Sequence, residues 1–95
     1  MLNISDIINA AHIVANEFNI KNISLFGSYA DGTHTEKSDV DLLVEFHTEA
    51  ISLLTIANVK NRIEDLLNVS VDIIHAPVDD NALIKPSKVV EIYAA

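Results

Sequence analysis

Cysteine and tryptophan are absent from this chain, and glycine and proline occur only twice each in 95 residues. Without cysteine, neither a disulfide framework nor a Cys-based zinc site can form. That agrees with a reducing compartment, and the cytoplasm is the expected location. Basic side chains are also scarce, 6 against 14 acidic ones, for a formal charge of −8. A surface of that sign repels phosphate backbones, so direct binding to a nucleic-acid polymer is not expected. Long apolar runs are missing too. The opening Met1-Leu2-Asn3-Ile4-Ser5-Asp6 has no basic leader region, and neither a signal peptide nor a membrane span is expected. No internal repeat, low-complexity segment or linker divides the sequence.

What is present points to a folded domain. Hydrophobic residues make up 49% of the chain, enough for one modest core, and a single domain over residues 1–95 is expected. Both glycines fall in the most informative stretch, Leu25-Phe26-Gly27-Ser28-Tyr29-Ala30-Asp31-Gly32, followed by Ser38-Asp39-Val40-Asp41-Leu42-Leu43-Val44. This reads as a strand, a Gly-Ser turn, a short helix, a loop and a second strand carrying two aspartates. In that strand Val40, Leu42, Val44 and Phe46 alternate with Asp39, Asp41, Leu43 and Glu45. Asp39 and Asp41 are then about 6.6 to 7 Å apart along one face, close enough to share one or two divalent cations. Hard carboxylate oxygens suit Mg²⁺, which takes much of its remaining shell from water and substrate phosphates. Gly27 lets a ligand approach the backbone. Ser28 stands where a helix begins, so its hydroxyl and nearby N–H groups could hold a phosphate.

The rest of the chain supplies scaffold. Ile7, Ala11, Val14, Ala15 and Phe18 recur at helical spacing, giving a first helix from about Asp6 to Phe18 with Ser5 as its cap. A first strand is expected over Ile23 to Phe26. Ser38 is expected to cap or brace the loop before the aspartates, and His34 in that loop to be exposed. Ile56, Val59, Ile63, Leu66 and Leu67 mark a second long helix that Asn68 closes, with Arg62 and Glu64 on its polar faces. Val69 to His75 form a third strand. Asp72 lies there between apolar neighbours, an inner-strand setting in which a lone carboxylate is costly unless a cation shares it. After Ala76-Pro77, a short helical segment over Asn81 to Ile84 and a last helix over Ser87 to Tyr93 are expected. His12 and His75 receive no chemical role. The whole is an α/β domain, a small mixed sheet with helices packed on it.

Gly27-Ser28, Ala30 and Gly32, with ten residues between Ser28 and the following Asp39-Val40-Asp41, resemble the signature of the minimal nucleotidyltransferases. These are small members of the DNA polymerase β-like nucleotidyltransferase superfamily, and they include the MntA-type antitoxins of HEPN/MNT toxin–antitoxin pairs. Val71-Asp72-Ile73-Ile74 is similar to the setting of the family's third carboxylate. The resemblance implies a nucleotidyltransferase in which Asp39 and Asp41 bind Mg²⁺ against the triphosphate of ATP. Asp72 completes a two-ion metal site and helps activate the attacking hydroxyl, and Gly27 and Ser28 grip the β- and γ-phosphates. It further implies transfer of AMP to a tyrosine of a HEPN-domain toxin, with this chain as antitoxin and a homo- or hetero-oligomer as its assembly.

One departure matters. Many members read Gly-Ser-Arg-Ala-Arg-Gly, whereas this chain carries Tyr29 and Asp31 where those arginines stand. An anion in place of a cation a few ångströms from a phosphate is worth on the order of a few kcal/mol. Lys37 is the local candidate for compensation. The departure supports a second expectation, a module with weak or no catalysis that neutralises its partner by contact.

Overall fold

The computed structural model describes residues 2–35, 38–48, 50–76 and 89–95. The first helix, α1 (Ile4–Phe18), begins two residues earlier than its apolar spacing suggests. Its cap is Asn3, not Ser5. The Asn3 side chain accepts from the Asp6 N–H at 3.0 Å, and the Asp6 carboxylate accepts from the Asn3 N–H at 3.2 Å. This reciprocal pair satisfies two donors that a helix start leaves open. Asn19, left-handed at φ 56°, ends the helix, and β1 (Ile20–Phe26) follows at once.

After β1 come the short α2 (Ser28–Asp31), β2 (Val40–Phe46), α3 (Leu53–Leu67) and β3 (Val71–Ala76). Asn68, at φ 57°, closes α3 as its position in the sequence suggests. The last described element is β4 (Val89–Ala94). It corrects the expectation of a helix over Ser87 to Tyr93 from Val89 onward; residues 87 and 88 lie outside the described residues. Val89, Val90, Ile92 and Tyr93 are β-branched or aromatic, and β1 offers them an edge for pairing. The segment expected to be helical over 81–84 lies outside the described residues.

The sheet runs β3-β2-β1-β4. β1 is antiparallel to both β2 and β4, while β2 and β3 are parallel and joined through α3, as a parallel pair requires. Helices α1 and α3 pack on one face. There Ile7, Ala11, Val14, Val59 and Ile63 meet Ile23, Leu25, Val40, Leu42 and Val44, all 1% exposed or less. Arg62 links the two helices through a pair of hydrogen bonds to Glu17, at 2.9 and 3.1 Å. Among the described residues no helix is long and apolar enough to cross a membrane.

Candidate active site

Three neighbouring strands bring the expected site residues to one end of the sheet. Phe26 pairs with Asp41 across β1 and β2, and Asp41 pairs with Asp72 across β2 and β3. Going across the sheet, the chain therefore presents the Gly27 turn, then Asp41, then Asp72. Strand alternation decides which way they point. Val40 and Val71 are buried toward the helices, so Asp41 and Asp72 emerge from the opposite face. Asp41 is half-buried and Asp72 exposed. Asp39, expected within the strand, stands one residue before it and is exposed.

The setting expected of Asp72 needs correction. β3 is an edge strand of the described sheet, so Asp72 is not an inner-strand carboxylate. Water can reach it, and burial alone gives no argument for a cation there. What singles it out is its place beside Asp41.

Electrostatics show that proximity. Partial burial pushes the Asp41 carboxyl above its ordinary pKa. The negative charges of Asp72 and then Asp39 add to the rise, as does a hydrogen bond between the Asp41 and Asp72 carboxyls. Like charges gathered in this way make a site that gains from a cation. Among the described residues, however, no three His, Asp or Glu side chains are drawn together tightly enough to hold a metal ion. The donor set fits a hard divalent cation in kind, three carboxylates with no softer ligand, in an open arrangement.

Gly27 adopts φ 75° and ψ −153°, a conformation that only glycine occupies readily. A second constraint coincides with it, since a Cβ there would run into the Asp41 carboxylate and lie 3.2 Å from its Cγ. Glycine thus serves both the turn and the space that Asp41 occupies. Ser28 is half-buried and opens α2 as expected. The Gly27 carbonyl accepts from Ala30 and Asp31 N–H at 3.0 and 3.1 Å. Gly32, at φ 83°, donates its N–H to the Ser28 carbonyl and ends the turn of helix.

Asp31 is exposed, and its carboxylate accepts from the N–H and hydroxyl of Thr33 at 3.0 and 2.6 Å. Its charge is therefore drawn into the local turn that follows α2. Lys37 lies outside the described residues. Ser38 braces the loop as expected, accepting from the Thr35 N–H at 2.8 Å and donating its own N–H to the Thr35 carbonyl at 3.1 Å.

Two features escaped the sequence reading. Tyr29 is buried, and the His34 ring stacks on it with centroids 4.2 Å apart and planes 9° from parallel. His34 is accordingly half-buried, not exposed as expected. Aromatic residues five apart across a glycine turn give no periodic signal, so only the folded loop reveals the pair. The second is Glu64, whose carboxylate accepts from the Val71 N–H at 2.9 Å, one residue before Asp72. On a helical wheel it is only one more charge on a polar face.

Residues 9–90 match the family model for polymerase beta nucleotidyltransferases. Over 71 residues the chain is 39% identical to the Methanocaldococcus jannaschii protein named "Putative protein adenylyltransferase MJ0126", covering 75% of this chain and 71% of that one. Two solved structures share the fold. A toxin–antitoxin crystal structure with AMP-PNP superposes with a TM-score of 0.78 at 18% identity, covering 93% of this chain and 73% of that chain. A chain of the tri-AMPylated Shewanella oneidensis HEPN toxin in complex with MNT antitoxin gives 0.66 at 16% identity, covering 95% and 73%.

Proposed function

The chain belongs to the polymerase beta nucleotidyltransferase family, and on that premise we propose that it transfers AMP from ATP to a tyrosine hydroxyl of a HEPN-type toxin. It would thereby serve as the antitoxin of that pair. The observation that carries the reading is the pairing of Asp41 with Asp72 across β2 and β3, with the Gly27 turn after β1 against the Asp41 carboxylate. The name of the archaeal relative supports adenylyl transfer. The toxin complexes among the fold's neighbours support the class of partner.

In this reading the Ser28 hydroxyl and the backbone N–H groups around Gly27 hold the β- and γ-phosphates. Asp39 and Asp41 would hold Mg²⁺, and Asp72 would complete an acceptor-side site for a second ion. When bound, such ions offset the triphosphate charge and stabilise the attacking and leaving oxygens. Asp72 orients the incoming hydroxyl and favours loss of its proton. The hydroxyl oxygen then bonds to the α-phosphorus in line, while the bond from that phosphorus to the α,β-bridging oxygen breaks. Pyrophosphate leaves with the electron pair. The protein contributes position and charge, with no covalent enzyme intermediate. The reading places the chain in the cytoplasm as one minimal domain over residues 1–95, pairing with a protein and not with nucleic acid.

A second reading has its own support. Asp31 stands where the family carries arginine, and the acidic cluster is open. Both favour a module that neutralises its partner by contact alone. Intact-mass analysis of the partner, after incubation with this chain, ATP and Mg²⁺, separates the two. A gain of one or more AMP units, lost with Asp39→Ala/Asp41→Ala, is expected. A stable complex with no mass gain would favour neutralisation by contact.

A further inference from the structure

We propose that Glu64 is a positioning residue that holds Asp72 in place beside Asp41. The inference rests on the nucleotidyl-transfer reading, in which Asp72 serves the acceptor side. Its geometry is independent of that reading.

β3 is reached from α3 by a short connection whose first residue, Asn68, is left-handed. On the inner side, the Ser70 carbonyl accepts from the Val40 N–H at 3.0 Å, which sets the β2–β3 register. The Val71 N–H is satisfied instead by a side chain, the Glu64 carboxylate reaching back from α3 at 2.9 Å. A strand at the border of a sheet must find partners for the donors its neighbour does not take. Here the acceptor comes from the helix that precedes the strand, so helix, turn and strand form one braced unit. Val71 is fully buried and Asp72 is the next residue. Glu64 and the Ser70 carbonyl therefore fix the backbone immediately ahead of the Asp72 side chain. Groups that orient a ligand without touching the metal commonly change affinity or activity by about 10- to 100-fold when removed.

The test uses the full chain, with Mn²⁺ alone as the probe. Free Mn²⁺ is followed by electron paramagnetic resonance, and exchange of the Val71 amide by NMR. Glu64→Met keeps bulk and helix propensity but removes the acceptor. It is expected to speed Val71 exchange and to weaken Mn²⁺ binding about 10-fold or more. Glu64→Gln retains an acceptor oxygen and is expected to bind Mn²⁺ as the wild type does. Should Glu64→Met fail to fold, Glu64→Asp, whose shorter arm cannot reach Val71, is expected to show the same loss.

Wild-type Mn²⁺ affinity in Glu64→Met, with faster exchange at Val71, would overturn the proposal and leave Glu64 as a cover for an edge donor. Equal loss in Glu64→Gln and Glu64→Met would also overturn it, by assigning the effect to charge. A wild type that binds no Mn²⁺ would sink the metal-assisted reading of the site, and this inference with it.

Discussion

Gly27 faces the Asp41 carboxylate so closely that the two positions constrain each other: a Cβ on Gly27 would take the space that the carboxylate fills. Gly27→Ala therefore has two penalties, the steric one and that of a backbone conformation costing on the order of 1–3 kcal/mol outside glycine. Gly32 is the internal control. It too has a positive φ, but a Cβ there meets nothing within 4 Å. Urea unfolding should show Gly32→Ala losing about 1 kcal/mol and Gly27→Ala losing clearly more. AMP transfer should survive only in Gly32→Ala. Equal losses would mean that Asp41 moves aside freely.

Asp41 should work against stability at neutral pH. Its pKa is raised in the folded state by partial burial, then by Asp72 and Asp39. The folded protein thus holds this proton more tightly than the unfolded chain. Sign follows from linkage: the favourable contribution is complete below the ordinary carboxylate pKa and is lost as pH rises through the raised one. Metal-free Asp41→Asn should consequently melt higher than wild type near neutrality, and this advantage should shrink toward acid. Melting curves from about pH 4 to pH 8 check this. AMP transfer by the same variant should be abolished.

Asp31→Asn should improve nucleotide binding. Asparagine keeps an oxygen able to accept from Thr33 as Asp31 does, while one negative charge near the expected phosphate path is removed. A change of about 1 kcal/mol corresponds to roughly a fivefold lower KM for ATP, with kcat little altered. An unchanged KM would show that the turn to Thr33 already keeps this charge away from the triphosphate.

The strand nature of β4 can be tested at Ile92, which is 9% exposed and belongs to the core cluster. Ile92→Ala should cost about 2 to 4 kcal/mol in urea unfolding. Below its melting transition the variant should transfer AMP normally, since β4 adjoins β1 and not the carboxylates. Loss of transfer in a folded Ile92→Ala protein would tie the outer strand to the chemistry.

Local signals carried much of this structure. Apolar spacing located α1 and α3, Asn68 marked a helix end, and alternation around Asp41 showed which side chains turn away from the core. Long-range pairing lies beyond such signals. Val89-Val90-Glu91-Ile92-Tyr93 suits a partly apolar helix as well as a strand until β1 is known to offer an edge. Asp72 read as an inner-strand residue because apolar neighbours look alike in inner and outer strands, and only the strand order separates them. The Glu64–Val71 bond depends on how the chain turns at Asn68, which no periodicity encodes.

The core takes Val40, Leu42 and Val44 from β2 and Val71 from β3, and the exposed Asp39 and Asp72 lie outside it. At these two positions, unlike at Gly27 and Asp41, the side chain adds nothing to the core. On the proposed mechanism, one substitution at Asp39 or Asp72 is expected to silence transfer while the scaffold stays intact. On that mechanism, an enzyme built on this plan stands one side chain away from an inactive protein of the same fold.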